Sequence, residues 1–124
     1  MCFFARKNCT KDEIKDYVEN TFHYDVNSTF EKISQNYNWN ATCQQTVPQA
    51  IISFLYSNDY EDSIRNAISL GSDSDTIACM TGAISEAYWG VPIELVKKAY
   101  EFLPVELSNL VEKFEKTFGN NILL

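Results

Sequence analysis

Histidine occurs once in this chain, at His23, and with no second histidine or matching cysteine beside it neither a catalytic triad nor a zinc site can be assembled around it. The four cysteines, Cys2, Cys9, Cys43 and Cys79, form no Cys-x-x-Cys pair, so they read as reduced thiols rather than as a metal knuckle or a redox motif. Basic residues are outnumbered ten to seventeen, and the net charge of −7 speaks against nucleic acid or an anionic membrane as partner. No apolar run approaches the roughly 20 residues of a membrane span, and Met1 to Ala5 is too short and lacks the basic start of a signal peptide. A cytoplasmic protein is expected, which leaves the Asn-x-Ser/Thr sites at Asn8, Asn27 and Asn40 without meaning. No stretch alternates apolar and polar residues as a half-buried strand does, so the expected fold is all-α.

What is present supports a globular body: 45% hydrophobic and 14% aromatic residues over 124 positions can bury a core without disulfide staples. One domain, residues 1–124, is expected. Thr10 and Glu13 form a capping-box signature ahead of Ile14, Tyr17, Val18 and Phe22, which predicts a helix from about Thr10 to Phe22. Ser28 and Glu31 repeat the device before Phe30, Ile33 and Tyr37, with an end near Gln35. Tyr37 to Gln45 has no sustained period and reads as an extended or looped connection. Pro48 suits a first helical turn, with Ala50, Ile51, Phe54 and Leu55 as the buried face of the helix it opens. Asp59 and Asp62 bracket another helix start, and Gly71 stops that helix. Pro92 and Pro104 precede two amphipathic helices, the last carrying Leu107, Leu110, Val111, Phe114 and Phe118 and ending at Gly119 and Asn120. Met1 to Lys7 is an apolar start with no cap in front of it.

The stretch that organises the rest is Leu70 to Gly90. Gly71 permits a sharp turn that presents Asp73, Asp75 and Thr76 at the mouth of a helix, and three oxygens converging there suit Mg²⁺, Ca²⁺ or Mn²⁺ better than zinc or copper. Acidic and hydroxyl residues at a helix start are equally ordinary caps, so spacing alone leaves capping and metal binding both open. An EF-hand beginning at Asp73 is excluded, because Ala78 and Ile84 stand where it needs Gly and Glu. A phosphatase-type Asp-x-Asp-x-Thr fails at Ile77. Ile77, Ala78, Met80, Thr81, Ala83, Ile84, Ala87 and Tyr88 leave almost no polar face, which predicts a central helix buried on nearly all sides, with Gly82 and the alanines allowing neighbours to approach closely.

Here the chain resembles the C-terminal half of the ADP-ribosylglycohydrolase family, whose pattern is Gly-Gly-Asp-Thr-Asp-Thr and then an apolar, small-residue helix ending Ala-Tyr-Tyr-Gly. This chain has Gly71, Ser72, Asp73, Ser74, Asp75, Thr76 and later Ala87, Tyr88, Trp89, Gly90, with further likeness from Cys43 to Ile51 and from Asp59 to Leu70. Ser72 replaces the second glycine and Ser74 the middle threonine, and Glu86 stands where many members have glycine. The resemblance implies a compact helical domain around that central helix. It also implies that Asp73, Asp75 and Thr76 are ligands of Mg²⁺ or Mn²⁺, and that the ligand is of the ADP-ribose type, cleaved at the glycosidic bond to a protein side chain. The family's other ligands, a Thr-Asp-Asp motif, and its catalytic acidic residue belong to an N-terminal half that nothing in these 124 residues matches. Glu86 does not replace that residue, because ten residues past Thr76 places it about 15 Å along the helix.

Two readings follow from the resemblance: a hydrolase that works when another polypeptide or copy supplies the first half, or a non-catalytic helical module that associates with a partner. A homodimer through Met1 to Ala5 and the uncovered side of the central helix, or a complex with a separate N-terminal-half polypeptide, is expected.

Overall fold

The computed structural model describes residues 2–7, 9–35, 42–71 and 73–118. Among them every regular element is a helix, and no helix is long and apolar enough to cross a membrane. The elements are α1 (Cys2–Ala5), α2 (Lys11–Phe22), α3 (Phe30–Gln35), α4 (Cys43–Leu55), α5 (Tyr60–Ser69), α6 (Ser74–Trp89), α7 (Ile93–Phe102) and α8 (Val105–Phe118). They fall into two compact units, residues 1–90 and 91–124.

In the first unit, local chemistry sets most helix limits. Thr10 caps α2 reciprocally with Glu13: the Glu13 N–H donates to the Thr10 hydroxyl at 3.2 Å, and the Thr10 N–H donates to the Glu13 carboxylate at 2.7 Å. The Thr10 N–H, together with the Thr10 hydroxyl, which lies 3.0 Å from the same carboxylate oxygen and can donate to it, holds the exposed Glu13 carboxyl below its ordinary value. At the other end His23 takes a left-handed conformation, φ 57°, so that its N–H closes on the Glu19 carbonyl. The Asp59 carboxylate accepts from the Asp62 N–H at 2.8 Å and opens α5.

Two boundaries differ from the sequence reading. The cap of α3 is Thr29 and not Ser28: its hydroxyl accepts from the Lys32 N–H at 3.3 Å and its carbonyl from Ile33 at 3.2 Å. Helix α4 starts at Cys43, inside the stretch read as a connection, with the Gln45 and Thr46 N–H groups bonded to the Thr42 carbonyl. Pro48 therefore lies inside the helix rather than opening it. The cost is small at this place, because the carbonyl that loses its partner belongs to Gln44, an exposed residue one turn earlier. Residues 36–41 of that connection, Tyr37 of the α3 stripe, and the end at Gly119 and Asn120 lie outside the described residues.

Packing centres on α6, which lies against α4, α5 and α1. One core gathers Ala5, Ile14, Val18, Val26, Ile51, Ile52, Phe54 and Ile84; a second gathers Ala50, Ala67, Leu70 and Ile77. Gly82 is where α5 comes closest: a Cβ there would meet Ile64 Cδ1 at 3.2 Å and the Tyr60 hydroxyl at 3.5 Å, the close approach that its lack of a side chain allows. The Thr81 hydroxyl, fully buried, donates to the Ala50 carbonyl of α4 at 3.1 Å.

The central helix is not buried all round. Ile77, Thr81, Gly82, Ile84 and Ser85 face inward, whereas Cys79, Ala83 and Glu86 are exposed. Ala and Cys carry little apolar area, so leaving them in water costs little, and a helix built from them can look buried in sequence without being so. Part of the outer side is taken by α1, where Ala5 enters the first core and the Cys2 thiol approaches the Ala83 carbonyl at 3.6 Å. In the second unit neither α7 nor α8 buries a residue.

Candidate metal centre

The loop that leads into α6 is held at both ends by buried apolar side chains, Leu70 before it and Ile77 after it, both in the second core. Between these anchors Gly71 adopts φ 79°, and nothing stands within 4 Å of where its Cβ would be, so the backbone angle and not lack of room calls for glycine. Its N–H closes on the Ile68 carbonyl at 3.1 Å, which ends α5 and turns the chain. Ser72 lies outside the described residues.

Asp73 occupies the N-cap position of α6 and its carbonyl accepts from Ile77 at 3.1 Å, yet its side chain caps nothing. Asp59, in the same place on α5, does cap. Among the described residues the half-buried Asp73 carboxylate has no hydrogen-bond partner, nor has the Thr76 hydroxyl, while one Asp75 oxygen accepts from the Thr76 N–H at 3.0 Å. All three residues thus sit within the cap and first turn of one helix, beside the free N–H groups and positive end of its dipole.

As a donor set they are two carboxylates and a hydroxyl, hard oxygens that fit Mg²⁺ or Mn²⁺ and fill at most half of an octahedral shell. No group of three or more His, Cys, Asp or Glu side chains among the described residues is placed to hold an ion by itself. A cavity of about 460 Å³, lined in part by Phe22, His23, Tyr24, Pro48, Gln49 and Ile52, includes none of the three loop residues.

Two interactions escaped sequence reasoning because they join distant positions. Burial pushes the Tyr60 phenol above its ordinary value of 10.0, and the charge of Glu86 pushes it the same way. Folded Tyr60 therefore keeps its proton at pH values where the unfolded chain has lost it, so stability falls as pH rises from about 10 towards the folded value. Glu86→Gln is expected to bring the Tyr60 titration, followed by phenolate absorbance and identified by its loss in Tyr60→Phe, part of the way back down. An unchanged midpoint would show that Glu86 does not act on this phenol. The second interaction is that of Lys11, whose ammonium donates to the Leu55 carbonyl at 3.1 Å and to the Ser57 carbonyl, and lies 5.3 Å and 4.8 Å from the ring centroids of Phe54 and Trp89.

Comparison with known proteins bears on the same stretch. A family model described as ADP-ribosylglycohydrolase matches residues 4–121. The ADP-ribosylhydrolase ARH3 of Danio rerio is 40% identical over 58 residues, 38% of this chain and 16% of the relative, so the chain covers only a small part of that relative's length. No solved structure matches.

Proposed function

Since the chain belongs to the ADP-ribosylglycohydrolase family, we propose that it provides one half of a divalent-metal site for hydrolysis of the glycosidic bond between ADP-ribose and a protein side chain, with Asp73, Asp75 and Thr76 as ligands of Mg²⁺ or Mn²⁺. The observation that carries this reading is Asp73: a half-buried carboxylate at a helix start, fixed between two core anchors, with no partner of its own. A carboxylate engaged as a cap would explain itself; this one is left for a ligand.

The bound ion would supply a template for ribose hydroxyls and water. The chain's own part is to present negative charge at the start of α6. It offers no general base there: Glu86 lies ten residues further along α6, and its charge acts on Tyr60 of α5. The remaining ligands and the base would come from a Thr-Asp-Asp-bearing half, on another polypeptide or a second copy.

Calorimetry with Mg²⁺ and with Mn²⁺ tests the ligand set. Weak binding is expected for the native sequence, since water must complete the shell, and none for Asp73→Ala with Asp75→Ala. Equal heats from both proteins would refute the assignment. A second reading, association without catalysis, is favoured by the uncovered apolar side chains of α8.

A further inference from the structure

The cavity of about 460 Å³ lies within the first unit, lined by the end of α2, the residues after it, Ile33 of α3 and one face of α4. Acceptors without donors gather around it. Gln49 lines it, and its side-chain oxygen is buried with no hydrogen-bond partner. Gln44 lines it too, and its backbone carbonyl has no α-helical donor because residue 48 is proline. Asp25 adds a carboxylate whose Oδ1 accepts from the Asn27 N–H at 3.0 Å, with no other bond to it among the described residues. The carboxyl end of α2 meets the same cavity through Phe22, and its last turn carries no basic side chain to offset the helix dipole. No lysine or arginine among the described residues lines the space. A phosphate or carboxylate would find no cationic partner there, whereas a cation rich in N–H donors would find acceptors from both α4 and the end of α2.

We propose that this cavity binds an alkylguanidinium, its head group taking up the free acceptors and its stem lying on Pro48 and Ile52. Two features select guanidinium over ammonium. The Phe22 and Tyr24 rings, with centroids 6.4 Å apart and planes inclined by 31°, offer π-faces to a flat cation, and Phe22 is half exposed. An alkylguanidinium also brings five N–H donors in one plane where an ammonium brings three, which suits acceptors contributed by separate elements. The site stands apart from Asp73, Asp75 and Thr76, none of which lines the cavity, and the inference does not rest on the metal-site proposal. Asp25 is exposed, so water screens its charge and binding is weak, with a Kd on the order of 1 mM.

Titration of the full chain with n-butylguanidinium, followed by ligand-observed NMR, is the test, with n-butylurea as the uncharged counterpart of the same shape. Butylguanidinium should bind in the millimolar range and butylurea roughly tenfold more weakly or not at all. Asp25→Asn keeps an acceptor for the Asn27 N–H and should weaken binding about fivefold; Gln49→Leu, which removes the buried acceptor, should weaken it about threefold. Asp12→Asn deletes the same charge from the first turn of α2, ten residues or about 15 Å before Phe22, and should change nothing. A Gly-Arg-Gly amide separates the two sources of this chemistry: tighter binding than butylguanidinium assigns the site to an arginine of a polypeptide, weaker binding to a free small molecule. No saturable binding of butylguanidinium, equal binding of butylurea, or an equal loss from Asp12→Asn and Asp25→Asn would each overturn the proposal.

Discussion

Phe54→Ala is expected to destabilise the 1–90 unit by about 3–5 kcal/mol, against a total of about 5–15 kcal/mol for a domain of this kind. Phe54 is fully buried, and its ring lies 5.3 Å from both Tyr88 and Trp89, so its removal opens a cavity between α4 and the end of α6. It also removes one of the two rings over Lys11. Burial already pushes that ammonium below the ordinary lysine value, against the pull of Asp62, and its bonds to the Leu55 and Ser57 carbonyls tie α2 to the end of α4. Phe102→Ala deletes the same atoms from a side chain that is 78% exposed and should cost no more than about 0.5 kcal/mol. Urea midpoints measure both. Comparable shifts would mean that burial is not what makes Phe54 matter.

A larger effect is expected on catalysis. On the half-site proposal, the purified 124-residue chain, with Mg²⁺ or Mn²⁺ present, should release no measurable ADP-ribose from modified arginine or serine, because the base and the remaining ligands would have to come from elsewhere. Such a loss amounts to many powers of ten, since ion positioning and the activated water go together. A polypeptide carrying the Thr-Asp-Asp half should restore turnover with the native chain and not with Asp73→Ala. Robust turnover by the chain alone would refute the half-site reading.

What could be read in the sequence was local. The Thr10–Glu13 box, the Asp59 cap and the stop at Gly71 each depend on residues within one turn of each other, and each stands in the structure as expected. Thr29 was missed because Ser28 is as good a cap by type, and only the backbone path chooses between neighbours. Pro48 misled for a similar reason: its preference for a first turn is a tendency, and here a turn closed on the Thr42 carbonyl, with Thr46 buried, precedes it. Lys11 could not be found at all, since its partners lie 44 and 46 residues away and lysine in a first turn has no special signature. For the loop, donor type and spacing were visible, but whether Asp73 spends its carboxylate on the helix is a matter of geometry.

The two anchors around that loop have an engineering consequence. Leu70 and Ile77 carry the packing, and Asp73, Asp75 and Thr76 between them belong to neither core. The segment is in effect a cassette. On the half-site proposal, the donors at positions 73, 75 and 76 can be exchanged, for harder or softer ligands or for none, at no more than the modest cost of losing acidic side chains at a helix start. Selectivity for an ion and persistence of the fold can then be tuned as separate variables, which is the property wanted in a host for grafted sites.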